Sequence, residues 1–123
     1  MVQHKKLIAS FGFAFEGLLH SFQRDQNFRV HLIIAVLIIA AGLFFNLSVL
    51  EMAVVIGAIT IVFIAELANT AVEQIIDFIV SEHVQEAKRI KDVAAAMVLI
   101  SAIGSVIIGA LIFVPKIFTF LTK

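Results

Sequence analysis

The sequence has no cysteine, no tryptophan, no tyrosine and a single proline among its 123 residues. Without cysteine, the chain forms no disulfide and has no thiol chemistry. Nine basic and nine acidic residues give a formal net charge of zero, which argues against a nucleic-acid partner. The sequence also lacks a P-loop and the signature of soluble protein kinases. These absences exclude several common classes of enzyme and leave the apolar residues as the dominant feature.

Apolar residues make up 62% of the chain, and the mean hydropathy is +1.12. Soluble domains are typically about 45–50% apolar, so this composition predicts an integral membrane protein. The length predicts one domain, residues 1–123.

The hydrophobic pattern predicts an all-α membrane protein. Residues 4–24 form an amphipathic helix that can lie at the membrane surface or pack on its own bundle. Three apolar segments follow, residues 30–46, 49–80 and 90–114, each predicted to be a transmembrane helix. Pro115 is predicted to end the third, and residues 81–89 are predicted to form a polar link.

Basic residues are distributed unevenly over this three-span arrangement. Two of the nine lie on the side reached after the third span, Lys116 and Lys123. The other seven lie on the side of the N-terminus and of the 81–89 link: Lys5, Lys6, Arg24, Arg29, Lys88, Arg89 and Lys91. The positive-inside rule therefore predicts that this second side is cytoplasmic.

The second predicted span carries a face of polar side chains at helical spacing. Glu66, Asn69, Glu73 and Asp77 follow one another at steps of three, four and four residues, so they share one side of a helix. Ionisable groups in a membrane helix are costly and usually functional. Asp25 lies at the same predicted boundary of the membrane.

Carboxylates near a boundary can hold Mg²⁺, and Lys91 can contact a phosphate. These parts suit phosphoryl transfer to the hydroxyl group of a lipid. Two other functions remain open on the residues alone. One is a small oligomeric proton-coupled transporter, and the other is a structural or regulatory subunit of a larger membrane enzyme. The polar face could also be a structural network that fixes helix register.

A resemblance to a known family favours the first function. Glu66-Leu-Ala-Asn-Thr-Ala-Val-Glu73, Asp77, Ser81-Glu82 and Lys91-Asp92 resemble the prokaryotic diacylglycerol kinase family, as does Asn27-Phe-Arg-Val-His31. The likeness is colinear over nearly the whole chain. It implies a homotrimeric lipid kinase of the bacterial inner membrane, with one surface helix and three transmembrane helices per protomer. The active site would lie between protomers on the cytoplasmic side.

The resemblance also implies roles for individual residues. Glu66 would be the general base that contacts the lipid hydroxyl, and Asn69 would orient the γ-phosphate or the base. Asp25 and Glu73 would hold Mg²⁺ and, through it, ATP. The remaining nucleotide contacts would be Lys6, Phe13, Glu82, Lys91 and Asp92. The lipid would also meet Phe28, Arg29 and Ala95.

Three positions depart from the pattern of the family. Asp25 stands where Glu is common, Phe13 where some members have Tyr, and Ala95 where some have Ser. The Asn-Phe-Arg-Val-His stretch is more similar to the Gram-positive-type branch, whose members often phosphorylate undecaprenol. The acceptor therefore stays open between undecaprenol, slightly favoured, and diacylglycerol.

Overall fold

The computed structural model describes residues 2–123, with side chains from residue 3 onward, and this part of the chain is folded into four α-helices. They are α1, Val2–Arg24, α2, Gln26–Phe44, α3, Val49–Ile79, and α4, Gln85–Leu121. Helices α2, α3 and α4 are each long and apolar enough to cross a membrane. The predicted all-helical architecture with three candidate spans therefore agrees with the structure.

A sharp joint separates α1 from α2. Asp25 is extended, with φ −105° and ψ 110°, and its side chain accepts a hydrogen bond from the backbone N–H of Asn27 as the N-cap of α2. Arg29 closes the other side of the joint, since its Nη1 donates to the carbonyls of Phe22 at 2.9 Å and Gln23 at 3.1 Å. These bonds satisfy backbone groups that helix ends leave without partners. Consequently α2 begins at Gln26, four residues before the predicted span.

A short turn at the opposite end of the bundle joins α2 to α3. Asn46 adopts a positive φ of 53°, a conformation that asparagine tolerates better than most residues. Ser48 then caps α3 in a reciprocal capping box with Glu51. The turn is tight enough that a Cβ on Gly42 would come within 2.8 Å of the Met52 side chain.

Helix α3 is the centre of the bundle, because it packs extensively on α4 and less extensively on α2, whereas α1 contacts mainly α2. Its 31 residues reach about 46 Å at 1.5 Å per residue, longer than a hydrocarbon core of about 30 Å. Most large apolar side chains of the four helices are exposed in the single chain. Among the described side chains, the largest that is fully buried is a glutamate, Glu66, at 1% exposure.

The prediction that Pro115 ends the third span was wrong, because α4 continues through Pro115 to Leu121. Proline lacks the N–H that a helix interior uses, but membrane helices tolerate it where other groups stabilise the surrounding backbone. The carbonyl that loses its partner is that of Leu111, and one turn beyond the proline the Thr119 hydroxyl donates to the Pro115 carbonyl at 2.9 Å. Beyond the proline, Lys116 Nζ lies 3.3 Å from Glu51 Oε2, which holds this last part of α4 against the start of α3.

The predicted polar link is also shorter than expected. Residues 80–84 separate α3 from α4, and α4 begins at Gln85 rather than at residue 90. The polar residues 85–89 suggested a loop, yet they form the first turn of a long helix. Polarity marks where a membrane helix leaves the apolar phase, and the helix itself need not end there.

Candidate active site

The site is built on the face of α3 that turns toward the α1–α2 joint. Glu66 and Asn69 are buried, at 1% and 6% exposure, Thr70 is half-buried, and Glu73 is exposed. Positions three and four residues apart are neighbours on a helix, so these four side chains form a continuous polar surface. It runs from the interior of the bundle to its edge, as the sequence predicts for this face.

Asp25 reaches this surface from the joint. Its Oδ1 accepts a hydrogen bond from the Asn27 N–H at 2.9 Å, and its Oδ2 accepts one from the Thr70 hydroxyl at 2.7 Å. Thr70 is separated from Glu73 by less than one helical turn, so the contact brings Asp25 to the polar surface that also carries Glu73. The structure therefore brings Asp25 to the polar face of α3, although Asp25 is far from that face in the sequence.

The Asp25 carboxyl lies just outside the three candidate spans, and its pKa is below the ordinary value. Burial raises the pKa, but hydrogen bonds from the Thr70 hydroxyl and from the backbone N–H groups of Phe28 and Asn27 together lower it more. A contact with the Glu66 carboxyl contributes in the same direction. Asp25 is thus an anion throughout the neutral pH range, which favours the binding of a cation.

Asn69 lies between Glu66, the predicted general base, and the edge of the bundle. Its Nδ2 donates to Glu73 Oε1 at 3.4 Å, which directs its Oδ1 away from Glu73. Among the described residues, no hydrogen-bond donor reaches this buried Oδ1. An amide oxygen accepts hydrogen bonds or binds a cation, and it cannot donate to a phosphate oxygen. A phosphate contact through this atom would therefore require a metal ion or a proton donor between the two.

Magnesium fits this set of donors. Within residues 2–123, no cluster of three or more His, Cys, Asp or Glu side chains is arranged to hold a metal ion. Asp25 and Glu73 supply two carboxylates, however, and the unpartnered oxygen of Asn69 supplies a neutral third donor. Mg²⁺ prefers oxygen ligands and usually takes the rest of its coordination from water and substrate phosphates. Such an incomplete protein site suits a metal that binds together with a nucleotide.

His31 adjoins the buried end of the polar surface. Its Nε2 lies 3.7 Å from Glu66 Oε2, and the ring is partly exposed. The sequence analysis assigned no function to this residue or to Thr70. His31 is the only polar residue in the predicted span 30–46 before Asn46, and this position was a usable signal, since it lies at the same end of the bundle as the acidic face.

An apolar groove begins beside His31 and runs between α2, α3 and α4. Its volume is about 610 Å³. Besides His31, it is lined almost wholly by aliphatic and phenylalanine side chains, with Ser105 on its α4 side. His31 lines the groove and lies 3.7 Å from Glu66, so it connects the apolar groove with the polar surface of α3.

A second polar cluster lies where α3 ends and α4 begins. Lys91 Nζ is paired with Asp77, and Lys88 Nζ lies 2.6 Å from Asp92 Oδ2. Asp77, Lys88 and Lys91, with Glu82, line a cleft of about 530 Å³. Exposed ion pairs contribute little free energy, so a ligand carrying phosphates can exchange with these partners readily.

The other predicted site residues are dispersed. Phe28 is buried against Phe63, with ring centroids 5.2 Å apart, and Arg29 is bound to the end of α1. Lys6 and Phe13 are exposed on α1, and Ala95 is exposed on α4. In the described part of the chain, no hydrogen bond or ion pair joins Lys6 to either polar cluster. These five assignments stay predictions.

Comparisons with known proteins agree on one family. The family model described as "Prokaryotic diacylglycerol kinase" matches residues 12–113. A diacylglycerol kinase of Synechocystis is 37% identical over 112 residues, which cover 90% of this chain and 64% of that protein. An undecaprenol kinase of Bacillus subtilis is 36% identical over 112 residues, covering 91% of each. The diacylglycerol kinase of Escherichia coli K12 is 28% identical over 83% of this chain and 84% of its own.

The chain thus spans slightly less than two thirds of the Synechocystis protein but nearly the whole of the Bacillus protein. The matches give no support to the transporter hypothesis.

Proposed function

The chain belongs to the prokaryotic diacylglycerol kinase family of lipid kinases, and we propose that it transfers the γ-phosphate of ATP to the hydroxyl group of a membrane lipid. One observation carries the proposal. A fully buried glutamate, Glu66, lies 3.7 Å from His31, which lines an apolar groove, and belongs to a polar surface that Asp25 joins through Thr70. A lipid kinase must bring an apolar acceptor and a charged donor together at one such boundary.

The proposed reaction begins with the lipid hydroxyl beside Glu66. Glu66 takes the hydroxyl proton while the hydroxyl oxygen attacks the γ-phosphorus. A bond forms between these two atoms, the bond from the γ-phosphorus to the bridging oxygen breaks, and ADP leaves with the electron pair. Phe28, Arg29 and Ala95 hold the lipid near this position.

Asp25 and Glu73 are the proposed magnesium ligands, and Asn69 supports them through its free oxygen. When bound, the metal neutralises negative charge on the β- and γ-phosphates. Lys91 adds positive charge from α4. Glu82 and Asp92 contact the nucleotide at the second polar cluster, and Lys6 and Phe13 reach it from α1.

The proposed molecule is a homotrimer in the bacterial inner membrane. The α1 helix would lie at the cytoplasmic surface, on the side that carries seven of the nine basic residues. Two features of the single chain support an oligomer: its many exposed apolar side chains, and a polar site open on one side. Neighbouring protomers would cover both and complete the site. Mass measurement of the purified protein in detergent tests the trimer.

One assay tests the function and the acceptor together. The purified protein in detergent receives ATP and Mg²⁺ with either undecaprenol or diacylglycerol, in parallel reactions with matched detergent-to-lipid ratios. We expect phosphorylation of one lipid at a rate well above the other, and none without Mg²⁺. A folded oligomer that phosphorylates neither lipid would contradict the proposed function. Repeating the assay with GTP determines the nucleotide preference.

A further inference from the structure

The hydroxyl of Thr70 bonds a side chain on another element, whereas most threonines in this chain bond their own helix. A threonine inside a helix commonly donates its hydroxyl to the carbonyl one turn before it. Three of the four threonines in the chain do so. They are Thr60, with Ile56 at 2.8 Å, Thr119, with Pro115 at 2.9 Å, and Thr122, with Phe118 at 3.0 Å. Thr70 instead donates across to Asp25 Oδ2 at 2.7 Å.

This bond completes a fixed environment for the Asp25 carboxylate. The Asn27 N–H engages Oδ1 and the Thr70 hydroxyl engages Oδ2. The Phe28 N–H and the Glu66 carboxyl also contact this carboxylate, whose two oxygens offer about four acceptor positions. The plane of the carboxylate is therefore held by bonds to both of its oxygens. Aspartate at this position is also shorter than glutamate, which leaves it less freedom to find a metal by itself.

We propose that Thr70 is a positioning residue that orients the Asp25 carboxylate for magnesium binding beside Glu73. The inference rests on the proposed function in taking Asp25 and Glu73 as the metal ligands. Partners that hold a metal ligand by hydrogen bonds typically change metal affinity or activity by about 10–100-fold when they are removed. Thr70 acts through Asp25 and does not touch the substrate in this scheme.

The test compares Thr70→Val, which keeps the shape and removes the hydroxyl, with Thr70→Ser, which keeps the hydroxyl. Thr60→Val is the matched control, because it makes the same substitution on α3 at a hydroxyl bound only to its own helix. The first readout is the binding of Mn²⁺ to the purified full-length protein, measured by electron paramagnetic resonance with a non-hydrolysable ATP analogue. The second is the concentration of Mg²⁺ that gives half-maximal kinase activity.

We expect Thr70→Val to weaken Mn²⁺ binding and raise the Mg²⁺ requirement by about tenfold or more. Thr70→Ser is expected to stay near the wild type, as is Thr60→Val. If Thr70 only ties the helices together, Thr70→Val will lower the thermal midpoint and leave Mn²⁺ binding unchanged, which overturns the proposal. Should the valine variant fail to fold, Thr70→Ala removes the same hydroxyl with less bulk and is judged by the same readouts.

The two readouts separate this inference from the proposed function. If the wild type binds Mn²⁺ but phosphorylates neither lipid, the lipid kinase proposal fails, and the binding series still decides the role of Thr70. If the wild type is an active kinase and Thr70→Val matches it in both readouts, the positioning role fails alone.

Discussion

Nε2 of His31 lies 3.7 Å from Oε2 of Glu66, and this pair joins the first membrane helix to the most deeply buried large side chain of the described protein. The ring also forms part of the wall of the apolar groove. His31 is thus the polar group that a lipid hydroxyl would meet together with the proposed base.

Replacing His31 with leucine removes one polar neighbour of Glu66, which also contacts Asp25. A polar contact of this length contributes about 1 kcal/mol, so we expect the maximal rate to fall by about fivefold. The KM for ATP should change little, because His31 lies on the lipid side. His31→Gln restores a hydrogen-bonding side chain and should recover part of the rate. Initial rates over a matrix of ATP and lipid concentrations measure both effects, and a change confined to the KM for ATP contradicts this role.

Glu66→Gln tests the proposed base directly. General base catalysis typically contributes about 10²–10⁴-fold, and we expect a loss of maximal rate in that range with an unchanged fold. Glu51→Gln is the matched control, since it makes the same substitution on α3 at the opposite end of the bundle. It should leave the rate near that of the wild type. Comparable rates in the wild type and Glu66→Gln would remove Glu66 from the role of base.

Much of the architecture could be predicted from the sequence, because the architecture depends on local patterns of residues. Apolar segments identified three spans, and helical spacing placed Glu66, Asn69 and Glu73 on one face, as the structure confirms. The contacts of Thr70 with Asp25 and of His31 with Glu66 join residues 45 and 35 positions apart. They depend on how α2 packs against α3, and no periodicity within one helix encodes that packing.

The buried oxygen of Asn69 leads to a prediction about metal dependence. Asn69→Leu removes the free acceptor, and we expect the Mg²⁺ concentration for half-maximal activity to rise by about tenfold. Asn69→Asp keeps an acceptor oxygen but loses the donor to Glu73, so its Mg²⁺ requirement should rise less. Titration of Mg²⁺ at constant ATP distinguishes the two. If the aspartate variant is impaired as severely as the leucine variant, the Mg²⁺ requirement depends on the contact with Glu73, and the role of the free oxygen is contradicted.

Because Lys91 is paired with Asp77, substitutions of these two residues are expected to have different effects on the KM for ATP. Lys91→Met removes a positive charge from the proposed nucleotide site, so the KM for ATP should rise severalfold. Asp77→Asn releases Lys91 from its ion pair and should leave that KM equal or lower. Lys116→Met is the control, because it breaks an ion pair at the opposite end of α4. ATP titrations of the three variants test this, and a large rise in KM for Asp77→Asn would show that the carboxylate itself serves the nucleotide.

Pro115→Ala tests why α4 continues past its proline. Proline in a helix interior costs about 3 kcal/mol or more, through a missing N–H and a clash with the carbonyl four residues before it. Alanine would restore the hydrogen bond to the Leu111 carbonyl. We therefore expect a higher unfolding midpoint in detergent, with kinase activity unchanged, because Pro115 lies at the end of the bundle away from Glu66. Circular dichroism melts with parallel rate measurements decide the matter. A lower midpoint would show that Pro115 helps to bring Lys116 to Glu51, and Lys116→Met in the alanine background would then cause no further loss.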